Sequence, residues 1–156
     1  MPLARSPTRV QLIDVISIGD DLSCAPSSAS LVRGPRIRRR VVLENAKGEQ
    51  LMYAVSWWAA DAYKKHLSVP TLPIGTSITA ARLELFRQMI DISTGNFPGA
   101  VFSNMSNPSD SHESGSEVVW ARSYLMFNGG QAIALIYEIF SPILRRTLGP
   151  YAIATC

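Results

Sequence analysis

Apolar positions recur at two spacings along the 156 residues, and each spacing predicts its own kind of element. β-branched and aromatic residues crowd residues 10–17, 36–45, 50–57, 118–128 and 131–140, which predicts five strands. Turn signals join four of these in pairs: Ala46-Lys47-Gly48-Glu49 between the second and third, and Asn128-Gly129-Gly130 between the fourth and fifth. Both pairs read as hairpins, so antiparallel pairing is expected. Gly19-Asp20-Asp21 and Ala25-Pro26-Ser27-Ser28 read as loop.

Elsewhere the period changes. Residues 59–66 predict a short helix, and the prolines of Val69-Pro70-Thr71-Leu72-Pro73-Ile74-Gly75 exclude regular structure after it. From 78 to 92, Ile78, Ala81, Leu85, Met89 and Ile92 recur at helical spacing while Glu84, Arg87 and Asp91 line another face. This predicts a long helix stopped by Gly95, with Arg87 serving its acidic neighbours. Residues 104–117 are a polar loop, and 143–148 a terminal turn of helix. Antiparallel strands with one long and one short helix inserted predict a single α+β domain over residues 1–156, its antiparallel sheet covered by helices.

Glu138 breaks the apolar pattern of the last strand. It shares a face with Ala134, Ile136 and Phe140, and Ile133, Leu135, Tyr137 and Ile139 make the other face apolar too. A carboxylate in a strand covered on both faces needs a cation or donor, because burying even a neutral polar group without one costs roughly 2 to 7 kcal/mol. The basic run Arg36-Ile37-Arg38-Arg39-Arg40 offers one. Arg36, Arg38 and Arg40 share one face and Arg39 takes the other, and Arg40, nearest the apolar half of its strand, is the expected partner. Such a pair is either a structural ion pair or the two ends of a site. Trp57 and Trp58 must face opposite sides of their strand. Trp120, Arg122 and Tyr124 share a face, so Arg122 reads either as a surface cross-strand ion pair or as a binder of a carboxylate.

Composition narrows the classes. The chain is 47% apolar and 17% charged, in the ordinary globular range. No apolar stretch reaches the roughly 18 residues of a membrane-spanning helix, and Met1-Pro2-Leu3-Ala4-Arg5 lacks the apolar core of a secretory signal, so a cytoplasmic or organellar protein is expected. Cys24 and Cys156 form neither a disulfide framework nor a metal-ligand spacing, and His66 and His112 stand alone, which argues against metal chemistry. The net charge of +3 is concentrated in the arginine cluster, but without interleaved aromatics that cluster fits a small anion better than nucleic acid.

Arg38-Arg39-Arg40-Val41-Val42-Leu43 with Gly48, Tyr53-Ala54-Val55-Ser56-Trp57-Trp58, Leu72-Pro73-Ile74-Gly75, Leu83-Glu84-Leu85-Phe86-Arg87, Trp120-Ala121-Arg122-Ser123-Tyr124 and Ile136-Tyr137-Glu138-Ile139-Phe140-Ser141-Pro142 form an ordered set. This set resembles the chorismate pyruvate-lyase family, in particular its cyanobacterial and algal plastid branch. The resemblance implies conversion of chorismate to 4-hydroxybenzoate and pyruvate without a cofactor, for quinone or related aromatic synthesis in cytoplasm or plastid stroma. It implies that Arg40 holds the ring carboxylate, that backbone near Ile74 and Gly75 meets the same end, and that Glu138 meets the 4-hydroxyl. Ser6-Pro7-Thr8-Arg9 is similar to the family's flap motif, which makes Pro7 a candidate ligand contact, although the segment after it is shorter than in the family. The alternative readings are an effector-sensing domain of the same fold and a family member acting on another cyclic carboxylate.

Overall fold

A computed structural model describes residues 8–67, 74, 85–96 and 118–144 of the chain. Six strands, β1 (Arg9–Gly19), β2 (Arg36–Glu44), β3 (Gln50–Ala59), β4 (Phe86–Asn96), β5 (Val118–Asn128) and β6 (Gln131–Phe140), form one antiparallel sheet. Their order across the sheet is β1-β2-β3-β6-β5-β4, so the two predicted hairpins, β2–β3 and β5–β6, lie side by side and join through β3 and β6. One short helix, α1 (Ala60–His66), follows β3, and a 3-10 turn at Ser27–Leu31 rests against β6. Among the described residues, helical cover is therefore slight compared with the expected helix-covered sheet.

The hairpins form where the turn chemistry allows. Gly48 has φ 78°, and Gly129 and Gly130 have φ 57° and 76°, left-handed conformations in which a side chain is strained. Asn45 supports the first turn, its Oδ1 accepting from the backbone N–H of Lys47 and of Glu49. Period-two alternation then supplies both faces of the central strands. Trp57, Leu125 and Leu135 line up on one face, and Trp58, Met126 and Ala134 on the other, all of them buried. Trp57 meets Tyr137 edge to face on the first side, and Trp58 meets Tyr63 of α1 on the second, so the adjacent tryptophans do face opposite ways.

The long helix expected at 78–92 is not formed where the chain is described: residues 86–96 are β4, hydrogen-bonded to β5. Residues 78–84 of that expected helix lie outside the described residues. Met89 and Ile92, three apart, suggested a helical turn, but a bulge between Met89 and Asp91 inserts one residue into the ladder. Met89 therefore stands opposite Tyr124 and Ile92 opposite Arg122, on one face, at a spacing that an unbroken strand would have split. Gly95 lies inside β4 opposite Val119 and caps no helix. Of the turn of helix expected at 143–148, only the start, Ile143 and Leu144, is described, and it is helical.

His66, the last residue of α1, is buried. Burial lowers its pKa from 6.5 and Lys65 lowers it further, against a weaker opposite pull from Asp61. The unfolded chain therefore takes up a proton before the folded one does, and the stability this group contributes is present above pH 6.5 and declines as the pH falls below it. Urea midpoints measured across that window should fall with acidification, and His66→Gln should flatten the slope. A slope unchanged in the variant would clear His66 of the effect.

Candidate active site on the Glu138 face

The register decides which polar side chains meet. Glu138 stands opposite Ala54 on β3 and Arg122 on β5, and one rung away Arg39, Ser56, Ile136, Tyr124 and Met89 form a second row on the same face. Arg40 belongs to the other face, in a row with Val55, Tyr137 and Ser123. The expected pairing of Arg40 with Glu138 is thus replaced by two separate pairs. Arg40 Nε donates to both carboxylate oxygens of Asp14, at 3.0 Å each, and its Nη2 bonds Asp14 Oδ2 as well. Arg38 stands 3.6 Å from the same carboxylate. Hydrogen bonding from Arg40 holds the Asp14 carboxyl below its usual range, while Asp14, with help from Tyr53, raises Arg40.

Glu138 is 8% exposed and finds its partners on β5. Arg122 Nε donates to Oε2 at 2.5 Å, and the Tyr124 hydroxyl donates to Oε1 at 3.0 Å. Arg122 is thus one half of a cross-strand ion pair whose partner is the buried acid rather than a surface one. The Arg122 side chain keeps 38% of its surface in solvent. Its guanidinium lies 5.3 Å from the Phe140 ring centroid and 5.5 Å from that of Tyr124, and Arg87 from the edge strand lies 5.4 Å from the same Tyr124 ring. Arg87 therefore serves an aromatic ring across the sheet in place of acidic neighbours on a helix. Burial first, and Glu138 second, push the Tyr124 hydroxyl well above its ordinary value, so it remains a donor.

Arg39 is the functional candidate that sequence reasoning passed over. Only 1% of it is exposed, the deepest of the described arginines, and burial lowers its pKa while Tyr63 of α1 acts to raise it. Two interstrand steps and two residues of rise separate Arg39 from Glu138, about 12 Å between Cα atoms. A small cyclic anion fits between a guanidinium and a carboxylate set so far apart. The signal was present in the alternation, which assigned Arg39 to the face opposite Arg40; the missing fact was which of those faces β6 shares. Ile74 is partly buried and rests against the main core cluster. Gly75 and Pro7, the other expected contacts, lie outside the described residues. Two open hollows border the β5–β6 turn, lined by Phe86, Gln88 and Phe127 and by Ser28, Leu31 and Leu125, and neither touches Glu138.

Among the described residues, no cluster of three or more His, Cys, Asp or Glu is arranged to hold a metal ion, and no helix is long and apolar enough to cross a membrane.

The uncharacterized protein ycf21 of Porphyra purpurea is 31% identical over 109 residues, covering 69% of this chain and 57% of that protein. The ycf21 protein of Cyanophora paradoxa is 26% identical over 114 residues, covering 73% and 54%. The chain thus spans a little over half the length of the curated relatives it matches. Among solved structures, the possible transcriptional regulator YydK from Bacillus subtilis superposes with a TM-score of 0.66 at 10% identity, over 89% of this chain and 60% of that one. The effector domain of PhnF from Mycobacterium smegmatis gives 0.60 at 11% identity, over 88% and 82%. These likenesses establish the fold, and the sequence match establishes the kinship: over residues 2–148 the chain fits the model of the Rv2949c-like chorismate pyruvate-lyases, and it belongs to that family.

Proposed function

We propose that this protein is a cofactor-independent carbon–oxygen lyase that converts chorismate to 4-hydroxybenzoate and pyruvate. The observation that carries this reading is the charge on the Glu138 face. Among the described strand residues of that face, Arg39, Arg87 and Arg122 stand against the single carboxylate of Glu138. Three guanidinium groups beside one carboxylate, on a face that is otherwise mostly apolar, suit a small dianion, and chorismate carries two carboxylates.

In this reading Arg39, rather than Arg40, neutralises the ring carboxylate, since guanidinium forks bind carboxylates through paired hydrogen bonds. Arg122, with Arg87 beyond the Tyr124 ring, faces the enolpyruvyl carboxylate. Glu138 receives the hydrogen bond of the 4-hydroxyl and is the base beside the proton on the same ring carbon. Loss of that proton supplies the electron pair that completes the aromatic ring as the ether C–O bond to the neighbouring carbon breaks. The departing enolate, its charge met by Arg122, is protonated on carbon to give pyruvate. Aromatisation drives the reaction, so the protein has only to bind, orient and shield the substrate. Ile74, Gly75 and Pro7 would complete the carboxylate end, and the product would feed quinone or related aromatic synthesis in cytoplasm or plastid stroma.

Incubation of purified protein with chorismate, with chromatography of the mixture, should yield 4-hydroxybenzoate and pyruvate in equal amounts. The fold shared with the effector domain of PhnF favours one other reading, a sensor of small cyclic carboxylates. Binding of 4-hydroxybenzoate with no product formed from chorismate would replace the lyase by the sensor.

A further inference from the structure

Tyr63 sits on α1, over the same face of the sheet as Glu138, with its ring edge-on to Trp58 at a centroid distance of 6.3 Å. The residue is 8% exposed, and its hydroxyl has no hydrogen-bond partner among the described residues. Its neighbours on that face are differently placed. The Trp58 indole N–H donates to Ser56 Oγ at 2.8 Å, and the Tyr124 hydroxyl is taken by Glu138. A hydroxyl withdrawn from water with nothing to bond is destabilising, and folded chains retain such groups where a ligand or a bound solvent molecule completes them.

The helix that carries this hydroxyl is tied down at its start, where Ala60 N–H donates to the carbonyl of Pro35, immediately before β2, at 2.9 Å. The ring is further fixed against Trp58, so the hydroxyl cannot turn away to solvent without moving the helix. The Tyr63 ring rests on Trp58, which stands opposite Ile37, and the next residue of β2 on that face is the buried Arg39, the cation at this end of the face. A fixed donor beside a buried cation makes a seat for one carboxylate, with charge supplied by the guanidinium and direction by the O–H.

We infer that Tyr63 is a binding residue whose hydroxyl donates a hydrogen bond to the ligand carboxylate that Arg39 neutralises. This rests on the assignment of Arg39 to the ring carboxylate and extends it to a second side chain, contributed by a different element. Benzoate and 4-hydroxybenzoate separate the two ends of the site, because both carry the carboxylate and only one carries the 4-hydroxyl.

Calorimetric titration of wild type, Tyr63→Phe and Glu138→Gln with both compounds tests it. Tyr63→Phe should weaken binding of both by the same factor, about ten- to a hundredfold for a hydrogen bond to a charged group. The thermal midpoint of the ligand-free variant should be unchanged or raised, since no internal bond is lost. Glu138→Gln should weaken only 4-hydroxybenzoate. Wild-type affinity in Tyr63→Phe, a loss confined to 4-hydroxybenzoate, or no benzoate binding by the wild type at millimolar concentration would each overturn the inference. A lowered ligand-free midpoint with affinity intact would do so too, by assigning the hydroxyl a structural bond. Binding is read without turnover. A wild type that binds both compounds through Tyr63 yet leaves chorismate intact would therefore end the lyase reading and keep this one.

Discussion

Arg39→Met should lower kcat/KM for chorismate by about two to three orders of magnitude, while Arg40→Ala stays within a few-fold of wild type. The first figure follows from removing a buried guanidinium that meets a ligand carboxylate, a loss of roughly 3 to 4 kcal/mol when the anion is left without its counter-charge. Methionine keeps most of the side-chain volume, so a failure to turn over is separable from a failure to fold, and circular dichroism checks the latter. Arg40 lies on the far face and is occupied by Asp14. Its side chain is 36% exposed, so the pair contributes no more than about 1 kcal/mol to stability in solvent. The opposite ranking of the two variants would return the carboxylate-binding role to Arg40 and require the substrate to lie on the other side of the sheet.

Glu138→Gln should leave a folded protein that binds the substrate and turns it over about a hundred- to ten-thousandfold more slowly, the range associated with loss of a positioned base. Glutamine preserves shape and can still accept from the Tyr124 hydroxyl, but it cannot take a proton from the ring. Arg122, left without its carboxylate, has enough solvent contact to remain hydrated. Glu138→Ala should be as inactive and less stable, because it also strands the buried Tyr124 hydroxyl. A glutamine variant with full kcat would confine Glu138 to holding Arg122 and Tyr124 in place. Single-turnover measurements then decide between a slow chemical step and slow product release.

Much of the sheet was legible in advance because its signals are local. The Ala46-Lys47-Gly48-Glu49 and Asn128-Gly129-Gly130 turns, with alternation on either side, define both hairpins, and the observed β5 and β6 have the expected limits. Glu138 as an acid in need of a partner was also legible, since that need follows from its own strand. Its partner was not. Alternation tells which residues of one strand share a face, but only the ladder between β3 and β6 couples the face of β2 to the face of β6. That coupling put Arg39 on the same face as Glu138 and sent Arg40 to Asp14. Arg122 reaches Glu138 because it stands directly opposite within the same hairpin, the nearest cross-strand position that turn permits. The stretch at 86–92 misled for a related reason: a bulge reproduces the three-residue recurrence that is otherwise the mark of a helical turn.

That bulge also bears on the chain's behaviour in a crowded solution. β4 forms one margin of the sheet, and Phe86, Met89, Ile90 and Ile92 along it are exposed. A straight, greasy border with free amides and carbonyls would be a template on which another polypeptide could grow, and from which fibrils start. The surplus residue between Met89 and Asp91 interrupts the regular repeat of those amides and carbonyls, so an incoming strand loses its alignment partway along. The same kink that brings Met89 and Ile92 to one side works against strand-by-strand growth at that rim.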